Sequence, residues 1–164
     1  MIRLAKAEDA AEIANIYNYY VANTAVTFEE APVCVDEMSK RIQETISLGL
    51  PWLVTEKKGA IQGYAYASKW KARNAYRHSV EVTVYLSHLA TSQGWGSQLY
   101  QQLFKQLKQS PVHAAIGGIA LPNDASVALH EKFGMKKVAH FEQVGFKFNQ
   151  WVDVGYWQIK LEQD

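Results

Sequence analysis

Residues 84–104, VYLSHLATSQGWGSQLYQQLF, pass from an apolar strand through a short polar turn straight into an amphipathic helix. The helix stacks Leu99, Leu103 and Leu107 beside Tyr100 and Phe104. A stripe at i, i+4 spacing, following directly on an apolar strand, is expected to face a sheet. In the turn, Gly94 and Gly96 let the backbone approach a ligand closely, while the unpaired amides and positive dipole end of the helix favour an anion. The turn reads as a phosphate cradle.

Two familiar phosphate loops do not fit it. A P-loop needs Gly-Lys-Ser/Thr to reach the outer phosphates and magnesium, but Ser97-Gln98 follows Gly96. A dinucleotide fingerprint needs a third glycine where Leu99 stands and normally opens the first strand-helix unit, whereas this turn lies past mid-chain. Nor does charge point to nucleic acid: the net charge is +1, and Lys57-Lys58 marks only a turn. Phosphate binding is expected to be local.

The 164 residues, 48% of them hydrophobic, suit one globular domain spanning 1–164. One cysteine, Cys34, cannot form an intrachain disulfide, and His78, His88, His113 and His140 have no metal-cage spacing, so no metal is expected. Met1 is followed by Ile-Arg-Leu-Ala-Lys and soon by acidic residues rather than an apolar leader core, and no apolar run approaches membrane-spanning length. The chain reads as cytoplasmic, with no membrane partner.

Hydrophobic spacing and turn residues predict alternating elements. Strands are expected at 2–4, 52–56, 61–67, 80–86 and 112–120, with the second and third joined by a hairpin at Lys58-Gly59. Helices are expected at 9–20, 36–48 and 125–133, besides the one after the turn. Segments 137–144 and 156–161 are expected to close the sheet as an antiparallel pair. Pro51, Pro111 and Pro122 fall at element boundaries.

This order, together with the Gly94-x-Gly96 turn, resembles the GNAT superfamily of acyl-CoA N-acyltransferases. More specifically, PWLV at 51–54, WKARNAY at 70–76, EVTVYL at 81–86, GSQLY at 96–100, LPNDASVALHEKFGM at 121–135 and GFKFNQWVDVGYWQ at 145–158 resemble the phosphinothricin and methionine-sulfoximine N-acetyltransferases. The resemblance spans nearly the whole chain. It implies an α/β fold with a mixed, mostly antiparallel central sheet flanked by helices, and acetyl-CoA as cosubstrate without a metal. The superfamily turn usually begins with Gln or Arg, where Thr91 stands here, and has an aliphatic residue at Trp95. Backbone donors of Ser92, Gln93, Gly94, Trp95, Gly96 and Ser97 do not depend on those side chains.

Acetyl transfer needs a neutral amine, so a base must take a proton near the thioester. Glu81 is the candidate, because a carboxylate in the apolar strand VEVTVYL is costly to desolvate unless it faces a cleft or finds a partner. The alternative is a structural ion pair with Arg73 or Arg77. The oxyanion needs a pre-aimed donor, and the resemblance places it on the strand backbone at Val84, Tyr85 and Leu86. Where superfamily members often carry a Tyr acid for the departing thiolate, this chain has His130, which is expected either as that acid or as a CoA contact. Asn123 is suited to capping the last helix, and the resemblance adds a contact to the CoA amide arm.

For the acceptor, Arg73 offers a bidentate fork for a carboxylate, with Asn74 and Tyr76 as neighbouring hydrogen-bond partners. Phe28 resembles the family residue that forms an apolar wall, and Val84 borders the same space. The resemblance implies a small amino-acid substrate of glutamate or methionine type: methionine sulfoximine, methionine sulfone or phosphinothricin. Transfer to a protein amine or polyamine, and a silent acyl-CoA sensor, are the rival readings. An acidic trough would mark the polyamine enzyme, and CoA binding without turnover would mark the sensor. The aromatics Phe146, Phe148, Trp151, Tyr156 and Trp157 are expected in the core or in a homodimer interface.

Overall fold

A computed structural model describes residues 1–162. The chain runs β1 (Ile2–Leu4), α1 (Ala10–Asn23), α2 (Val35–Ser47), β2 (Trp52–Lys57), β3 (Ala60–Lys69), β4 (Ser79–Leu86), α3 (Trp95–Lys108), β5 (Ala114–Leu121), α4 (Asp124–Lys132), β6 (Lys136–Lys147) and β7 (Gln150–Lys160). The strands form one sheet in the order β1-β2-β3-β4-β5-β7-β6. Every neighbouring pair is antiparallel except β4 and β5. The mostly antiparallel α/β architecture expected from the resemblance is the one observed.

Helices cover both faces of the sheet. On one face α3 buries Leu99, Tyr100, Leu103, Phe104 and Leu107, the stripe seen in the sequence, against Val80, Val82, Ala115 and Trp157. On the other, Ile13, Tyr17 and Val21 of α1 and Met38 and Ile42 of α2 pack with Trp52, Val54 and Tyr64. Cys34 caps α2, its sulfur accepting the Glu37 amide at 3.4 Å, and Asp36 and Glu37 oppose the helix dipole.

The functional consequence of the topology is a gap. β3 and β4 stay paired from Lys69↔Val80 to Gly63↔Leu86, but β4 and β5 pair only over Ser79, Val80 and Glu81. Alternation decides which amides the gap receives. Trp70 donates to the Ser79 carbonyl and Ser87 to the Gln62 carbonyl, so odd-numbered residues of β4 bond to β3. The main-chain groups of Val82, Val84 and Leu86 therefore turn toward β5, where the ladder has stopped.

The closing pair is longer than its sequence pattern indicates. The segments expected at 137–144 and 156–161 are the ends of β6 and β7, which continue to a tight turn where Phe148 and Asn149 both have positive φ, 50° and 59°. The register shifts between Lys137/Ala139 and Phe141/Gly145 fall at the stretch expected as strand; the residues beyond the expectation are 145–147 and 150–155, on either side of the turn. Of the aromatics there, Trp157 is buried, while Phe146, Phe148 and Trp151 are exposed.

Candidate active site

A cavity of about 520 Å³ opens where β4 and β5 part, bordered by Val82, Thr83 and Val84 on one side and Gly118, Ile119 and Ala120 on the other. Tyr20 closes one end, its hydroxyl donating to the Leu86 carbonyl, and α4 supplies Ser126, Leu129 and His130. One carbonyl of the parted strand is thus occupied by a side chain. Val84 and Leu86 present their amides here, whereas the Tyr85 amide turns to β3; Tyr85 contributes its ring, edge-on to Tyr17 with centroids 5.3 Å apart.

The turn expected to hold phosphate borders the same cavity through Thr91, Ser92 and Gly96. Gly94 has φ +82°, a conformation that suits a residue without Cβ, and it precedes the first residue of α3. Gly96 lets α4 lie close, since a Cβ there would stand 3.3 Å from Leu129 Cδ2. Gln93 is exposed, and Ser97 Oγ accepts from Lys132 Nζ at 2.9 Å. The indole nitrogen of Trp95 is buried and finds no hydrogen-bond partner among the described residues.

Glu81 pairs with Ile116 at the last rung before the strands separate. It makes no hydrogen bond or ion pair among the described residues, so the structural pair with Arg73 or Arg77 is not formed. Burial holds its carboxyl above the usual glutamate range. Space for it comes from Gly118: a Cβ there would lie 3.5 Å from Glu81 Oε1 and 3.0 Å from the Tyr156 ring.

His130 is buried, with both ring nitrogens engaged. Nδ1 lies 2.7 Å from the Ser126 carbonyl, an acceptor only, so Nδ1 carries the proton and donates. Nε2, 3.0 Å from the Tyr100 hydroxyl, then accepts from it. Burial lowers the imidazole's affinity for a second proton, and the same burial pushes the Tyr100 phenol well above its usual range. The resting histidine is a neutral acceptor toward Tyr100. An acid role would first require the charged form that burial disfavours. Asn123 caps α4, its side chain accepting from the Ser126 amide at 3.2 Å, and borders the cavity.

A second, more apolar cavity of about 550 Å³ lies on the Glu81 face of the sheet, bordered by Trp70, Lys71, Ile116, Phe141 and Tyr156. Glu81 itself borders neither cavity, but its partner Ile116 borders the second and its neighbour Gly118 the first. The other acceptor candidates are less central. Arg73, Asn74 and Tyr76 form an exposed turn and border neither cavity. Phe28 packs on Gly145, where no Cβ would fit, while its neighbour Val26 reaches the first cavity. That loop is tied down by the buried Lys147, which donates to the Thr27 carbonyl at 2.8 Å, and by the Arg41–Glu29 ion pair.

Tyr20, Tyr100, Lys71 and Tyr156 were not among the residues expected at the site. Their tyrosines read in the sequence as ordinary core aromatics. One signal was available: two adjacent glycines inside a strand mark close approach by other groups. Gly117 accommodates the His130 ring and Gly118 accommodates Tyr156 and Glu81.

Residues 2–155 match the family model described as the acetyltransferase (GNAT) domain. Phosphinothricin N-acetyltransferase of Streptomyces viridochromogenes is 40% identical over 161 residues, covering 98% of this chain and 87% of that protein. L-methionine sulfoximine/L-methionine sulfone acetyltransferase of Salmonella typhimurium is 33% identical, covering 99% and 95%. The crystal structure of a GNAT superfamily phosphinothricin acetyltransferase from Sinorhizobium meliloti in complex with acetyl-CoA superposes with a TM-score of 0.95 at 34% identity, covering 99% of this chain and 88% of that one.

Proposed function

The chain belongs to the GNAT acetyltransferase family and is an N-acetyltransferase, and we propose that it moves the acetyl group of acetyl-CoA directly onto the α-amine of a small glutamate- or methionine-like amino acid. Methionine sulfoximine, methionine sulfone and phosphinothricin are the acceptors of choice, by likeness to the relatives above. The observation that carries the reading is the Glu81 carboxylate, without a hydrogen-bond or ion-pair partner among the described residues, at the rung where β4 and β5 part and beside Gly118, which borders the cavity at the phosphate turn.

The turn at 91–97 holds the phosphates, and the thioester arm runs along the freed edge of β4. In the reaction the amine nitrogen forms a bond to the thioester carbon while the carbonyl π electrons move to oxygen, facing the amides of Val84 and Leu86. Collapse breaks the C–S bond and expels the CoA thiolate. Glu81 takes one proton from the α-ammonium before attack and passes it to solvent, and the second surplus proton, carried by the nitrogen after attack, leaves through water as the thiolate takes one up. A carboxyl held above its usual range is a stronger base than a free glutamate, which suits it to an α-ammonium. His130 and Tyr100 form a neutral wall to this space, and Asn123 meets the cofactor's amide arm. Arg73, Asn74 and Tyr76 enter as groups on the exposed turn that close on the amino acid once it binds, while Phe28, fixed against Gly145, serves as an apolar wall.

A cytoplasmic homodimer with a detoxifying or salvage role belongs to the same reading. The exposed Phe146, Phe148 and Trp151 on the β6–β7 hairpin support the dimer, because a cluster of large apolar side chains in water is unfavourable. Among the described residues no helix is long and apolar enough to cross a membrane.

The test is thiol release from acetyl-CoA with methionine sulfoximine, methionine sulfone, phosphinothricin and spermidine, with Glu81→Gln beside the wild type. Saturable turnover on the amino acids that collapses in the variant is expected. Turnover on spermidine alone would replace the acceptor, and CoA binding without turnover on any amine would make the protein a sensor.

A further inference from the structure

Resting on the reading of a small amino acid as acceptor, we infer that Lys147 is a positioning residue for acceptor binding, which latches the loop carrying Phe28 to the β6–β7 hairpin. Residues 24–34, between α1 and α2, form no helix or strand. Near α2 the loop is held by Asn18, which donates to the Val33 carbonyl and accepts from the Val33 amide, each at 2.8 Å. At its middle the Tyr17 and Thr27 hydroxyls bond at 2.7 Å. Thr27 stands between Val26, which borders the first cavity, and Phe28, the apolar wall of the acceptor space.

Two successive inward positions of β6 meet this stretch. Gly145 and Lys147 are both buried, on one face of the strand. Gly145 receives the Phe28 ring, whose Cζ would lie 2.2 Å from a Cβ there. Lys147 donates through Nζ to the Thr27 carbonyl at 2.8 Å, and the ammonium lies 5.2 Å from the Phe148 ring centroid. It forms no ion pair among the described residues. A lysine at 3% exposure, with a carbonyl and a ring for partners, is a costly way to fill space. A methionine of similar length would pack there without desolvating a charge. What the ammonium adds is direction: a charge-assisted donor fixes the Thr27 carbonyl, and with it the seat of Phe28 on Gly145.

The experiment compares wild type, Lys147→Met, Phe28→Ala and the double variant. Lys147→Met keeps the stem and removes the donor, so the melting temperature is expected to hold or rise. KM for methionine sulfone is expected to rise about tenfold, the scale of one lost charge-assisted hydrogen bond. kcat, and the CoA affinity read by calorimetry, stay unchanged. The double variant is expected to match Phe28→Ala alone, because Lys147 acts through Phe28. Hydrogen exchange at the amides of 24–34, followed without any amine, speeds up in Lys147→Met. An unchanged acceptor KM, additive effects in the double variant, or unchanged exchange overturns the inference. A Lys147→Met chain that melts well below the wild type, or loses CoA affinity in step with the acceptor, makes Lys147 a structural residue and overturns it too. If the wild type acetylates none of methionine sulfoximine, methionine sulfone and phosphinothricin, the acceptor reading fails by itself. The exchange comparison, and the same KM comparison on the amine the protein does accept, then decide the latch.

Discussion

At residues 91–97 the groups offered to a ligand are amides held by a turn and a helix end, whereas around Glu81 they are side chains delivered by β4, β5, β7, α3 and α4. The first region is contiguous in sequence and depends on conformation. The second is assembled from residues as distant as Glu81 and Tyr156 and depends on the sheet parting after one short parallel ladder. Backbone sites tolerate exchange of side chains and fail when φ is forced, whereas side-chain sites fail when a single functional group is lost.

Activity measurements should separate the two. Glu81→Gln is expected to lower kcat for amino-acid acetylation by about 10²- to 10³-fold while calorimetry finds CoA affinity unchanged. A parallel loss of CoA affinity would mean the halves are not independent. Gly94→Ala should do the reverse. Placing a Cβ at φ +82° costs about 1–2 kcal/mol, so CoA affinity drops about tenfold. kcat at saturating acetyl-CoA is retained.

Smaller effects sharpen the contrast. Thr91→Gln, which restores the usual superfamily residue, should lower KM for acetyl-CoA about two- to threefold, the scale of one exposed hydrogen bond. A larger gain would show that side chains matter more in this turn than the backbone account allows. Glu81 should also oppose folding slightly. Its folded-state carboxyl binds a proton more readily than in the unfolded chain, so its contribution is least harmful in acid and becomes a penalty as pH rises through the folded-state value. Glu81→Gln should therefore raise the melting temperature at neutral pH, with the difference fading below the ordinary glutamate range. His130 acts oppositely: its lowered proton affinity favours the unfolded chain as pH falls below the ordinary histidine value.

Much of the fold could be read along the chain because its signals are local. The Leu99–Leu103–Leu107 stripe and the Lys58-Gly59 hairpin are both where periodicity and turn chemistry put them. The β6–β7 hairpin was only half legible: its halves next to the turn, 145–147 and 150–155, flank Phe148 and Asn149, whose positive φ makes a tight turn where the sequence offers no glycine to announce one. At the site, Glu81 stood out as a lone charge in an apolar run. Tyr100 could not, because a buried tyrosine on a helix stripe looks the same whether its hydroxyl is idle or bonded to a histidine thirty residues on.

The sequence alone determined most of the elements, the Gly94–Gly96 turn and the lone carboxylate in an apolar strand, because helix periodicity, glycine conformation and the cost of burying charge all act over a few residues. Tertiary structure decided what those parts do together. Only the termination of the β4–β5 ladder at Glu81 frees the amides of Val84 and Leu86, only the β6–β7 hairpin brings Lys147 to Thr27, and only Gly117 and Gly118 leave room for His130, Tyr156 and Glu81 around one cleft. Such contacts join segments with no local signal for one another, so their energies exist once the chain has folded.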